Sequence, residues 1–325
     1  MGGDLAAVAD LLRAHRRVVV ACHEAPDGDA LGSLRAAGDA LRDNGWDVAL
    51  WAPGDAPLPA DYAWLGYEDV TRTPPEDLSE RLLLALDCGS AERLGAGGPD
   101  AVAAAAATAN VDHHGDNTRF ADADAVDPGA ACTTVLVRRL LDLLGIAPSQ
   151  RVAEAIYVGV VTDTGRFMYA NADAEAHEVA GEMLALGVEP DAIFRRLYEG
   201  RPAARVRLHA RALATLDLRL DGRLAVAHVT IADLDATGAD ETDSDGVIDQ
   251  LRAIAGVDVA AVIREPRAGG GRVRKASLRS ARPGVDVAAI AHAGGGGGHA
   301  MAAGFAMEAP LDEVVAVIER ALADA

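Results

Sequence analysis

Short apolar runs alternate with longer amphipathic stretches throughout the first half of this chain, and few architectures accommodate that rhythm. Arg17 to Cys22, Asp47 to Trp51, Leu82 to Leu86 and Asn110 to Val111 read as buried strands. Asp29 to Asn44, Cys132 to Leu144, Arg151 to Val161 and Glu175 to Leu186 read as helices by their periodicity. Strands separated by helices predict an α/β fold, a parallel sheet with flanking helices. Ligands bind outside the carboxyl ends of such strands, so polar residues directly after a strand carry the functional signal.

A chain of 325 residues can bury more than one core, and a second domain is expected. Between Pro190 and Leu216 the pattern is helical, with Pro202 as punctuation. The expected division is residues 1–190 as the first domain, 191–216 as a helical linker and 217–325 as a smaller, mixed α/β domain. In that last part Arg223 to Val229, Val257 to Ile263 and Arg272 to Leu278 read as strands, and Ser244 to Ala255, Val285 to His292 and Pro310 to Ala323 as helices. The acidic stretch Asp233 to Asp245 reads as a solvated turn and helix cap, and the alanines Ala103 to Ala107 as a helix surface.

Hydrophobic residues at 50% and charged residues at 25% describe a globular chain. No apolar run approaches the ~18 residues that a membrane span needs, and none suits a signal peptide. Cys22, Cys88 and Cys132 are unpaired in number and lack CxxC spacing, which excludes a disulfide framework and a zinc ribbon. A cytoplasmic protein without a membrane partner is expected. The formal net charge of -20 argues against wrapping a long nucleic acid, since that affinity comes from Lys and Arg displacing counterions.

Four segments of the first half end in acidic or imidazole groups: His23-Glu-Ala-Pro-Asp27-Gly-Asp29, Asp87-Cys-Gly-Ser, Asp112-His113-His114 and Thr162-Asp163-Thr164-Gly165. Taken singly, each has an ordinary reading as a helix cap or strand-end residue. A parallel sheet brings its strand ends to one edge, where uncompensated carboxylates would repel one another and call for cations. Asp and His without thiolate suit Mn²⁺, with Mg²⁺, Co²⁺ or Zn²⁺ as substitutes among which the sequence does not select.

The spacing His23-x-x-Pro-Asp27-x-Asp29-x-x-Gly-Ser33, the strand-end Asp87, the triplet Asp112-His113-His114 and the later Asp163 resemble the motifs of DHH phosphoesterases. Ser277-Leu278-Arg279-Ser280 followed by Gly295 to Gly298 and His299 resembles the DHH-associated domain of the nano-RNase and pAp phosphatase (NrnA-like) branch. The resemblance implies two divalent metal ions, one held by His23, Asp27 and Asp87, the other by Asp29, Asp87, His113 and Asp163. Asp87 would bridge them, Asp112 would orient its neighbours, and His114 would face the substrate phosphate or leaving oxygen. It further implies hydrolysis of short RNA oligonucleotides and of pAp by metal-activated water, and a homodimer.

Substrate recognition is expected from the second domain. Arg279, Ser280, Gly296, Gly297, Gly298 and His299 are its candidates, because a glycine run lets backbone N–H groups approach a phosphate. Arg264, Arg267, Arg272, Arg274, Lys275, Arg279 and Arg282 also concentrate positive charge there against Glu265 alone. The competing expectations are a phosphodiesterase for cyclic di-AMP or linear dinucleotides, and a nucleotide sensor without catalysis. A family II pyrophosphatase shares the metal motifs but lacks the glycine–histidine segment, and a RecJ-type exonuclease is longer.

Overall fold

The computed structural model describes residues 2–282 and 284–323. It divides into two compact units, Met1–Glu199 and Gly200–Ala325.

The first unit is an α/β domain. Its strands are β1 (Arg17–Cys22), β2 (Asp47–Trp51), β3 (Val70–Thr71), β4 (Leu82–Leu86), β5 (Ala107–Asp112) and β6 (Ala123–Val126). They form one parallel sheet in the order β3-β2-β1-β4-β5-β6. Its helices are α1 (Gly2–Ala14), α2 (Gly28–Asp43), α3 (Gly98–Ala104), α4 (Thr133–Leu144), α5 (Gln150–Asp163), α6 (Ala174–Ala185) and α7 (Pro190–Tyr198). From Val18 to Cys22 in β1 and throughout β4 every residue is apolar and buried, because both faces are covered. Val18, Val20, Leu82, Leu84 and Leu86 join a core with residues of α1, α2 and α4 to α7, whereas Val19, Ala21, Leu83 and Ala85 pack with Leu94 and Ala101 on the opposite face. Strand order reverses between β1 and β4, so a crevice opens at their carboxyl ends.

The second unit begins with α8 (Ala203–Ala214), followed by β7 (Asp217–Arg219), β8 (Leu224–Val229), α9 (Ile231–Thr237), α10 (Val247–Arg252), β9 (Val259–Arg264), β10 (Val273–Ser280), α11 (Val287–Ala293), β11 (Gly297–His299), β12 (Ala302–Glu308) and α12 (Leu311–Ala323). The sheet order is β11-β12-β10-β9-β8-β7, mixed because β8 and β9 are parallel and the other pairs antiparallel. One face packs on α11 and α12, the other on α8 to α10.

The stretch 191–216 holds α7 and α8, each packed on its own unit through Ile193 and Leu197 or Leu208 and Ala212. One local expectation is corrected. The alanines at 103–107 are not one helix surface: α3 ends at Ala104 and β5 starts at Ala107. The acidic stretch 233–245 does serve helix caps, with Asp233 in a capping box with Thr230 at the start of α9 and Asp240 in another with Asp243; Asp233 is itself buried and receives Arg211 at 2.7 Å.

Candidate metal centre

Proximity at the mouth of the crevice follows from the strand order. His23 leaves β1, Asp87 leaves β4, Asp112 ends β5 with His113 and His114 beyond it, and Asp163 ends α5. Ligand-capable atoms of His23, Asp27 and Asp87 lie within 4.8 Å of one another, as do those of Asp29, His113 and Asp163, and those of Asp87, His113 and His114. Asp87 lies between the groups: its Oδ2 is 3.5 Å from His23 Nε2, and its Oδ1 is 3.6 Å from His113 Nε2. His113 Nε2 is in turn 3.9 Å from Asp163 Oδ2.

Partners aim most of these donors. His23 Nδ1 lies 2.8 Å from Glu24 O, so that nitrogen donates and Nε2 is left for the crevice. Asp27 caps α2, accepting from Asp29 N and Ala30 N at 3.1 Å through Oδ1. Asp29 does not cap its own helix. Its two oxygens accept from Thr133 N at 2.6 Å and Thr134 N at 3.0 Å, closing the start of α4, whose own N-cap residue Cys132 makes no side-chain capping bond. Thr133 Oγ1 also donates to Asp87 Oδ1 at 2.9 Å. The positive end of α4 therefore faces this cluster of negative charge.

Asp87 has a left-handed backbone, φ 57°, which is costly for a residue with a side chain and is held by its N–H on Val111 O at 3.0 Å. Asp112 is fully buried and receives His113 N at 2.9 Å, His114 Nδ1 at 2.7 Å and Asn117 Nδ2 at 2.7 Å. Asn171 Nδ2 reaches Asp163 Oδ2 at 3.2 Å. Thr133, Asn117 and Asn171 were not singled out in the sequence. Thr133 alone carried a signal there, as a hydroxyl at the start of a helix.

Crowded, buried carboxylates set the electrostatics. Burial, then Asp87, Asp163 and Asp27, push Asp29 well above the usual carboxylate range. Burial with Asp27 and Asp87 pushes Asp163 up to about 6 despite His113. For Asp87, burial is outweighed by the His23 contact and by the charges of His113 and His114, so it stays low. His114, bonded to Asp112, is raised to about 9. Repulsion among Asp29, Asp87 and Asp163 is what bound cations would relieve, and Asp with neutral His is a donor set that holds divalent metals. Cys22, Cys88 and Cys132 are buried and free, with burial raising each thiol, so thiolate does not compete.

The residues expected to bind substrate are less uniform. Arg279 lies half-buried on β10 and among the described residues meets no carboxylate, its Nη1 donating to Leu278 O at 3.0 Å. Ser280 is a correction: strand alternation puts it with Ala276 and Leu278 on the core side, 1% exposed, and its hydroxyl donates to Arg282 O at 2.8 Å. The glycine run is shaped at least in part by packing. A Cβ on Gly296 would stand 2.1 Å from Gly304 O, and one on Gly298 2.6 Å from Ala303 Cα. Gly297 has room, with His292 Nε2 as its nearest neighbour at 3.5 Å. His299 ends β11, and its side chain lies outside the described residues. Within the basic segment Arg264, Arg267, Arg272, Arg274 and Arg282 pair with Asp245, Asp235, Glu308, Glu265 and Asp258.

Comparison with known proteins agrees with this geometry. Residues 17–160 match the DHH family, N-terminal domain, and residues 221–324 match the DHHA1 domain. A Thermus thermophilus protein named bifunctional oligoribonuclease and PAP phosphatase NrnA is 35% identical over 93% of this chain and 87% of its own length. The Bacillus subtilis protein of that name is 25% identical over 93% of each chain. The crystal structure of an exopolyphosphatase-related protein from Bacteroides fragilis superposes with a TM-score of 0.91 at 24% identity, covering 100% of this chain and 96% of that one, and so shares the fold. With acidic and imidazole side chains that could hold metal in one cluster and both domains matched in order, this chain belongs to the DHH family.

Proposed function

We propose that the chain is a metal-dependent phosphoesterase that hydrolyses very short oligoribonucleotides, such as pApA, and removes the 3′-phosphate from pAp. The observation that carries this is the convergence of His23, Asp27, Asp29, Asp87, His113 and Asp163 around one carboxylate, Asp87. The substrate class is supported by relatives named oligoribonuclease and PAP phosphatase that align over most of the chain.

In this reading His23, Asp27 and Asp87 hold one divalent ion, and Asp29, Asp87, His113 and Asp163 the other, with Mn²⁺ the best match to the donors and Mg²⁺ or Co²⁺ as substitutes. The ions supply activation of water and neutralise charge on the phosphate oxygens. The chain's own residues do the remainder. Thr133 and the start of α4 fix the carboxylates of Asp87 and Asp29. Asp112 binds Nδ1 of His114 and favours its protonated form, which keeps a proton on Nε2 for the leaving oxygen. Arg279 and the backbone at Gly297 receive a further phosphate of the substrate, with His299 beside them in sequence. Direct attack by water needs no nucleophilic side chain, so no phosphoenzyme forms.

Among the described residues no helix is long and apolar enough to cross a membrane. Free, buried cysteines fit the reducing cytoplasm. A homodimer is part of the same proposal.

Incubation with Mn²⁺ and, in parallel, pApA, pAp, cyclic di-AMP, pyrophosphate and long single-stranded DNA tests the reading. Product is expected from pApA and pAp. Release from pyrophosphate alone, or from none of the nucleotides, sinks it.

A further inference from the structure

Directly after Asp163 the chain makes a turn that polypeptides avoid. Gly165, Arg166 and Phe167 all take left-handed backbone, with φ of 56°, 63° and 62°. Arg166 and Phe167 carry side chains, for which this conformation is costly, so the surroundings must enforce it. They do: Thr164 Oγ1 accepts from Phe167 N at 3.1 Å, and Thr164 O accepts from Met168 N and Tyr169 N at 3.0 Å. The Phe167 ring stacks on His177 at 4.7 Å, and the Arg166 guanidinium lies over Tyr198 at 5.1 Å. At the far end Asn171 returns to bond Asp163. Both ends of the segment are thus tied to a residue of the metal cluster.

Phe167 packs against the core, whereas Met168 is 81% exposed and Tyr169 48%. Tyr169 is nevertheless seated. A Cβ at position 165 would fall 2.4 Å from its Cζ and 2.5 and 2.6 Å from its Cε atoms, so the missing side chain of Gly165 makes the seat. The segment that carries this partly exposed ring and thioether starts at Asp163 and returns to it through Asn171, which ties its position to the cluster. Nucleobases present flat apolar faces that stack on such rings and contact sulfur.

We propose that Tyr169, with Met168 beside it, is the platform on which the base adjoining the scissile phosphate stacks. The proposal rests on the nucleotide reading above and deepens it. Stacking is tolerant of base identity, so the platform gives affinity for nucleotides over bare sugar phosphates with little preference among bases.

The test compares KM for pAp with KM for ribose 3,5-bisphosphate, which lacks the base, in the wild type and in Tyr169→Phe, Tyr169→Leu and Tyr169→Ala. The wild-type advantage of pAp is expected to survive in the Phe variant. It should shrink about tenfold in the Leu and Ala variants, with kcat for pAp changed far less. Leu keeps an apolar side chain on Gly165 and separates loss of stacking from loss of packing. An advantage that persists in Leu and Ala overturns the platform. A second readout is independent of turnover: the 2-aminopurine analogue of pAp, mixed in a stopped-flow instrument, should be quenched by the wild type and the Phe variant but not by Ala. Quenching with no pAp hydrolysis would refute the phosphatase reading and leave the platform standing. Equal quenching by Ala, or none by the wild type, would remove the platform.

Discussion

Asp87 meets His23, His113 and the Thr133 hydroxyl at once, from a backbone conformation that its side chain disfavours. Groups that orient a ligand matter nearly as much as the ligand. Thr133→Val, which keeps the shape and deletes the donor, is expected to lower metal affinity and kcat by about 10–100-fold, read by Mn²⁺ titration and by pApA hydrolysis. Asp163 offers a test through pH. Its folded pKa of about 6 exceeds the ordinary 3.8, so in metal-free protein the native state binds more protons than the unfolded one between those values. Stability from this group is present below pH ~4 and is lost as pH rises through about 6. In EDTA, Asp163→Asn should therefore melt above the wild type at pH 7.5, with the gain vanishing near pH 4. The order should reverse at pH 7.5 when Mn²⁺ is added, because the variant lacks a ligand. A variant that melts below the wild type in EDTA at pH 7.5 would refute the electrostatic account of the cluster.

Close helix crossing holds the cluster together at the scale of the elements. Gly32 on α2 meets Ala155 and Gly159 of α5, and a Cβ on Gly159 would come 2.4 Å from Thr134 and 2.7 Å from Asp29 Oδ1. Gly159→Ala is expected to lower the melting temperature and abolish most of the Mn²⁺-induced shift. Gly181→Ala in α6, where a Cβ meets nothing, should stabilise by about 0.5–1 kcal/mol in chemical denaturation. The elements that sequence revealed are those whose pattern is local. Strands β1, β2 and β4 were legible as apolar runs, whereas Val70–Thr71 and Ala123–Val126 are short outer strands with no such run. Glycines concealed β11, since the reason for Gly298 is the approach of Ala302 and Ala303 at the neighbouring strand. The acidic and imidazole residues were legible because parallel strands deliver their ends to one edge. The bonds of Thr133 to Asp87, and of Thr133 and Thr134 to Asp29, join positions 46, 104 and 105 residues apart, and no local pattern announces them. Ser280 was misjudged for a related reason: the motif named it, but the face of β10 it occupies depends on register.

At the scale of the whole molecule, the acidic and imidazole cluster belongs to the first unit and Arg279 to the second. Arg279→Ala should raise KM for a diribonucleotide by about tenfold or more, the scale of a charge-assisted hydrogen bond, while leaving hydrolysis of bis-p-nitrophenyl phosphate nearly unchanged. An unchanged KM would detach Arg279 from the substrate. All of this depends on cations gathering at Asp87. The most direct measurement is anomalous diffraction from crystals soaked in Mn²⁺, collected near the manganese edge. Two peaks about 3.5–4 Å apart, flanking the Asp87 carboxylate and ringed by His23, Asp27, Asp29, His113 and Asp163, are the predicted result. A lone peak away from Asp87, or none at saturating Mn²⁺, would contradict it.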